Sequence, residues 1–101
     1  MQKVDQDEPL LIVKKLVLSR LNKENVQIFL FGSRARGDFN IRSDIDIGIL
    51  PQGEWNKLAL VLLREEIENL NLPYKIEIVD LSRVSRKFRD QVLREGQTWK
   101  D

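Results

Sequence analysis

The chain reads as an α/β (α+β) domain, a small mixed β-sheet flanked by helices in the order α-β-β-α-β-α. Three observations predict it. Residues 26–31 are almost wholly apolar and stop at a glycine, while residues 44–50 alternate strictly between apolar and other residues. Three longer stretches repeat their apolar residues at helical spacing. Between the last two of these lies a further strand-like segment, residues 74–80.

The first helix is announced by Asp7-Glu8-Pro9, acids and a proline at a helix entrance. Leu10, Val13, Val17, Leu18 and Leu21 then mark one buried face. Residues 26–31 (Val-Gln-Ile-Phe-Leu-Phe) suit a central strand covered on both faces. In residues 44–50, Ile45, Ile47 and Ile49 share one face, and Asp44, Asp46 and Gly48 share the other. Pro51-Gln52-Gly53 is a turn. Trp55, Leu58, Leu62, Ile67 and Leu70 predict the apolar face of a second helix, ended by Asn71-Leu72-Pro73. Ile76 and Ile78 form the core face of the third strand. Ser82 is the expected cap of a last helix carrying Val84, Phe88, Val92 and Leu93 and stopping at Gly96. Tyr74, Phe29, Phe31 and Phe88 read as core or rim packing.

A length of 101 residues predicts a single domain spanning 1–101, with its core at about 10–95. The chain has no cysteine and no histidine. That excludes disulfides, thiolate or imidazole metal sites, a Cys nucleophile and a Ser-His-Asp triad. Acid–base chemistry and metal binding must rest on the 16 Asp and Glu, and oxygen ligands point to Mg²⁺, Mn²⁺ or Ca²⁺. A net charge of +1 exerts no global pull on nucleic acid. Residues 10–18 are broken by Lys14 and Lys15 and are too short to span a bilayer, and the acidic start does not resemble a signal peptide. A cytoplasmic chain without membrane contact is expected.

The chemistry concentrates in residues 32–46. Gly32 can adopt a backbone conformation closed to other residues and lets a ligand approach the main chain. Ser33 opens a short helical turn whose amides and hydroxyl suit an anion, and Arg34 and Arg36 add positive charge. Asp44 and Asp46, two apart on a strand, project from one face opposite the isoleucines. Two such carboxylates repel unless a cation lies between them, and a pair of divalent ions about 3.5–4 Å apart can share them. A third carboxylate is sought on the next strand, with Glu77 and Asp80 as candidates. Glu77 has the parity of the Asp44 and Asp46 face, whereas Asp80 suits a local cap before the last helix.

Gly-Ser, ten residues, then Asp-x-Asp resembles the signature of nucleotidyltransferases typified by DNA polymerase beta. The fuller string Gly32-Ser33-Arg34-Ala35-Arg36-Gly37, followed by Ser43-Asp44-Ile45-Asp46, is similar to the minimal nucleotidyltransferases (MNT). The resemblance spans about residues 10 to 95. It implies the nucleotidyltransferase fold. It also implies that Gly32 and Ser33 cradle a nucleoside triphosphate, with Arg36 contacting phosphate or bracing the loop. Asp44 and Asp46, with Glu77 in a place often held by Asp, would act as catalytic and metal-holding groups for Mg²⁺, two ions in the family pattern. The implied reaction moves NMP, with ATP or another NTP as donor, onto a hydroxyl. The implied partner is a small helical HEPN-type toxin, with this chain as antitoxin.

Two other readings stand beside it. The alternative is a non-catalytic, partner-binding antitoxin or module with a degenerate site, suggested by its size and the glutamate at the third position. A two-metal phosphohydrolase is disfavoured by the Gly-Ser loop. Nucleic acid as acceptor is less favoured than protein, although Arg34, Arg36 and Arg42 offer a local basic lip. The basic run on the last helix (Arg83, Arg86, Lys87, Arg89 and Arg94) suits a solvated face or an acidic partner.

Overall fold

A computed structural model describes residues 8–37 and 44–101. Helix α1 (Glu8–Leu21) leads into β1 (Val26–Phe31), a one-turn α2 (Ser33–Arg36) and β2 (Ile45–Pro51). Then follow α3 (Leu58–Glu68), β3 (Ile76–Asp80), a 3₁₀ turn (Leu81–Arg83), α4 (Arg86–Glu95) and β4 (Gln97–Lys100). The sheet runs β3-β2-β1-β4, with β1 antiparallel to both neighbours and β2 parallel to β3. This is the expected mixed sheet flanked by helices, with one strand more than the periodicity shows.

Parity along each strand decides which face is which. Ile28 and Leu30 of β1, Ile45, Ile47 and Ile49 of β2 and Ile78 of β3 bury against Val13, Val17 and Leu21 of α1 and Leu60, Leu63 and Ile67 of α3. The opposite face carries a smaller cluster of Phe29, Leu81 and Val92, lying under α4. Gly48 of β2 belongs here, because a β-carbon on it would come within 2.8 Å of Leu81. Only part of this second face is covered by helix, and the rest holds the acidic residues.

Three expectations are corrected. The buried stripe of α3 is Leu60, Leu63 and Ile67, while Leu58 and Leu62 are 57% and 51% exposed and Trp55 precedes the helix. Residues 58–63 are apolar all round, so two stripes compete, and the one meeting both α1 and the sheet wins. The cap of α4 is Ser85, whose hydroxyl accepts from the Phe88 amide at 3.1 Å. Ser82 instead binds Asp80 through its amide (2.9 Å) and its hydroxyl (2.6 Å). Asp80 thus holds the local turn, as its position predicts.

The third correction is β4, which pairs along β1 after Gly96. Gln-Thr-Trp-Lys is too short and too polar to announce a strand. Its hold is tertiary. Trp99 packs on the main core under the Lys14 ammonium, 5.6 Å from the ring centre, and the Lys100 ammonium donates to the Glu24 and Val26 carbonyls. Among the described residues, no helix is long and apolar enough to cross a membrane.

Candidate active site

The site begins where β1 ends. Phe31 is followed by Gly32, whose φ of 80° lies in the region that favours glycine. This turn reverses the chain into α2, and the Ala35 and Arg36 amides bond back to the Gly32 carbonyl at 3.1 and 3.2 Å. The Ser33 amide stands at the head of the turn and enters none of the bonds that close it. Gly37, at φ 85°, closes α2 with its amide on the Ser33 carbonyl at 3.1 Å. The same close approach sets Gly32 against Asp46: any β-carbon there would collide with the Asp46 Oδ2.

Strand register supplies the rest. Phe31 pairs with Asp46, and Asp46 pairs with Glu77. Paired residues share a face, so the three stand in a row across β1, β2 and β3. Asp44 is exposed just before β2 and acts on Asp46 through its charge. Burial pushes the Asp46 carboxyl above its ordinary range, and the negative charges of Glu77 and Asp44 push it further; Lys75 and Arg36 oppose the rise. Glu77 itself lies 3.5 Å from the Lys75 ammonium.

The two loop arginines separate. Arg34 is buried, with its guanidinium 5.6 Å from the centre of the Tyr74 ring. It braces α2 against the start of β3 and does not form the basic lip expected of it. Arg36 faces outward, 3.8 Å from Glu95 of α4. Arg42 and Ser43 lie outside the described residues. The Lys75 pairing is legible as a spacing of two on one strand. The Glu95 contact has no sequence signal, because only tertiary packing brings α4 beside α2.

The donor set suits a hard divalent cation. Asp44, Asp46 and Glu77 offer only oxygen, and the strain of their like charges on Asp46 is what a cation relieves. Among the described residues, no three acidic side chains already converge on one point as a finished cage. A hard divalent cation held here would take further oxygen ligands from outside the chain.

Comparison with known proteins identifies the family of this fold. The family described as "Polymerase beta, Nucleotidyltransferase" matches residues 14–99. An MntA assigned as a protein adenylyltransferase in Haemophilus influenzae (strain ATCC 51907 / DSM 11121 / KW20 / Rd) is 29% identical over 80 residues, 79% of this chain and 69% of that protein. A structure assigned to the minimal nucleotidyltransferases is 30% identical, with a TM-score of 0.64 over 89% of this chain and 92% of that one. A tri-AMPylated Shewanella oneidensis HEPN toxin in complex with its MNT antitoxin matches at 25% identity, with a TM-score of 0.58 over 98% of this chain and 71% of that one. With the Gly-Ser turn beside Asp46, and Asp46 in register with Glu77, the chain belongs to the polymerase beta nucleotidyltransferase family and carries its minimal fold.

Proposed function

We propose that this chain is a Mg²⁺-dependent adenylyltransferase that moves AMP from ATP to a hydroxyl on a HEPN-type partner protein, acting as its antitoxin in the cytoplasm. The observation that carries the reading is the row of Asp46 and Glu77 across β2 and β3, beside the Gly32-Ser33 turn. The AMPylated toxin bound to the similar MNT antitoxin supports the choice of nucleotide and acceptor.

Each residue then has a task. Gly32 and Ser33 offer main-chain and hydroxyl donors to the triphosphate, and Arg36 adds charge beside them. Asp44, Asp46 and Glu77 would hold Mg²⁺, which would supply charge neutralisation to the triphosphate and to the departing pyrophosphate. The acceptor oxygen forms a bond to the α-phosphorus as the bond from that phosphorus to the bridging oxygen breaks. Pyrophosphate leaves, and the hydroxyl proton passes to a carboxylate, for which Glu77 has the position. No histidine or cysteine is needed.

The test incubates the chain with the product of its adjacent gene, labelled ATP and Mg²⁺. Label is expected on the partner and absent with Asp44→Ala/Asp46→Ala. Equal transfer by that variant would remove the reaction from this site. A second reading, neutralisation by docking alone, draws on the absence of a ready-formed three-carboxylate cage among the described residues. It predicts full neutralisation by the same double variant.

A further inference from the structure

Strand β3 is an edge of the sheet, and among the described residues no strand pairs with its outer side. Beside that edge runs a groove of about 700 Å³, between β3 and the C-terminal half of α3. Arg64, Ile67, Glu68 and Leu72 line one wall, and Tyr74 lines the end where β3 begins. Residues 75–79 form the other wall, so the groove reaches Glu77, the outer end of the acidic row.

The backbone directions are set by the ladder. The Lys75 carbonyl accepts from the Ile45 amide at 2.9 Å, so residue 75 directs its main-chain groups toward β2. By the period of two, Glu77 and Val79 do the same, and Ile76 and Ile78 turn theirs to the open edge. Arg64 confirms the direction, since its guanidinium reaches from α3 to the Ile78 carbonyl at 2.7 Å. That contact satisfies one edge acceptor. The Ile76 amide and carbonyl and the Ile78 amide have no backbone partner across the edge among the described residues. Such groups are a template for another chain.

We propose that this edge receives the acceptor polypeptide as an added strand, in a register that sets its hydroxyl residue beside Glu77. The proposal rests on the adenylyl-transfer reading and names how that site takes its acceptor. An added strand lies about 4.8 Å from β3. The residue opposite Glu77 shares its face, which extends the row Phe31, Asp46, Glu77 by one position. A serine, threonine or tyrosine there presents its oxygen to the carboxylates. Its two neighbours in the strand point to the other face, over the wall holding Ile67 and Leu72. The site therefore selects an extended segment with a hydroxyl residue between two apolar ones. Main-chain pairing supplies affinity and the alternate side chains supply choice, as in other strand-addition sites.

Two variants test it with the full chain, the product of the adjacent gene, ATP and Mg²⁺. Ile76→Pro removes the outward amide and no ladder bond to β2, a substitution edge strands accept. Glu68→Trp fills the groove from an exposed helix position and keeps the core intact. Transfer to the partner is expected to fall at least tenfold in both, while the rise in Tm caused by Mg²⁺ and ATP matches that of the unaltered chain. Transfer at the unaltered rate by Glu68→Trp, or by a folded Ile76→Pro, overturns the edge site alone. Absence of transfer by the unaltered chain overturns the adenylyl-transfer reading and this proposal with it.

Discussion

Gly32 and Asp46 are fitted so closely that a β-carbon on the first would occupy the place of a carboxylate oxygen of the second. Gly32 therefore acts twice, through its positive φ and through the space it leaves for an acid on the neighbouring strand. Gly37 differs on both counts, since its ψ of 3° makes it left-handed where Gly32 has a ψ of -158°, and nothing lies within 4 Å of an added β-carbon there. Alanine at Gly37 is expected to cost about 1–2 kcal/mol of stability, the left-handed backbone penalty. Alanine at Gly32 should cost more and also abolish the Mg²⁺-induced rise in Tm, because Asp46 is displaced. Thermal denaturation of both variants with and without Mg²⁺ checks this.

Asp46 predicts an unusual pH response. Its carboxyl titrates above the ordinary range in the fold, so the unfolded chain loses that proton first as pH rises. Its contribution to stability is full below the unfolded pKa and is lost as pH climbs through the folded one. Asp46→Asn removes the penalty. In metal-free buffer the variant should have a higher Tm than the unaltered chain at neutral pH, with the gain shrinking toward acid. Added Mg²⁺ should reverse the order, because only the unaltered chain gains stability by binding the ion.

The two third-strand acids should separate by assay. Glu77→Gln is expected to lower transfer by two orders of magnitude or more with little change in Tm, since its side chain is half-exposed and its ion pair with Lys75 is a surface one. Asp80→Ala should lower Tm, because the carboxylate accepts from both the amide and the hydroxyl of Ser82 in a buried turn. The loss is expected at about 1–3 kcal/mol, with transfer retained in the folded fraction. Paired measurements of Tm and labelled-AMP transfer decide it.

Helix α3 offers a test of packing. Leu63→Ala removes a fully buried side chain and should cost about 2–5 kcal/mol. Leu62→Ala, next to it and 51% exposed, should change stability by less than about 0.5 kcal/mol. Urea denaturation of the two variants reads the difference directly.

Much of the site is legible in the chain itself because strands report their faces locally. The alternation of Ile45, Ile47 and Ile49 places Asp46 on the open face, and the same parity selects Glu77 over Asp80. Glycine and serine at 32 and 33 announce the turn because a φ of 80° combined with a ψ of -158° is open to glycine alone. What the chain does not announce is set by distant contacts. Arg34 looks like a phosphate ligand until Tyr74 is seen to bury it. Strand β4 has no pattern of its own and exists because β1 has an unpaired side. On α3, only the position of α1 and the sheet chooses between two apolar stripes.

The unequal clusters on the two sides of the sheet have a dynamic consequence. The α1 and α3 side is anchored by a continuous core, whereas α4 rests through its own Val92 on Phe29 and Leu81, with its Phe88 edge-on to Phe31. Local opening follows the smaller reserve of buried area, so α4 is the element that should loosen while the rest of the domain stays shut. Glu95 of α4 lies 3.8 Å from Arg36, so loosening of α4 would part this contact with the turn that follows β1. The fold sets its larger core behind the carboxylates and its smaller one on their own face.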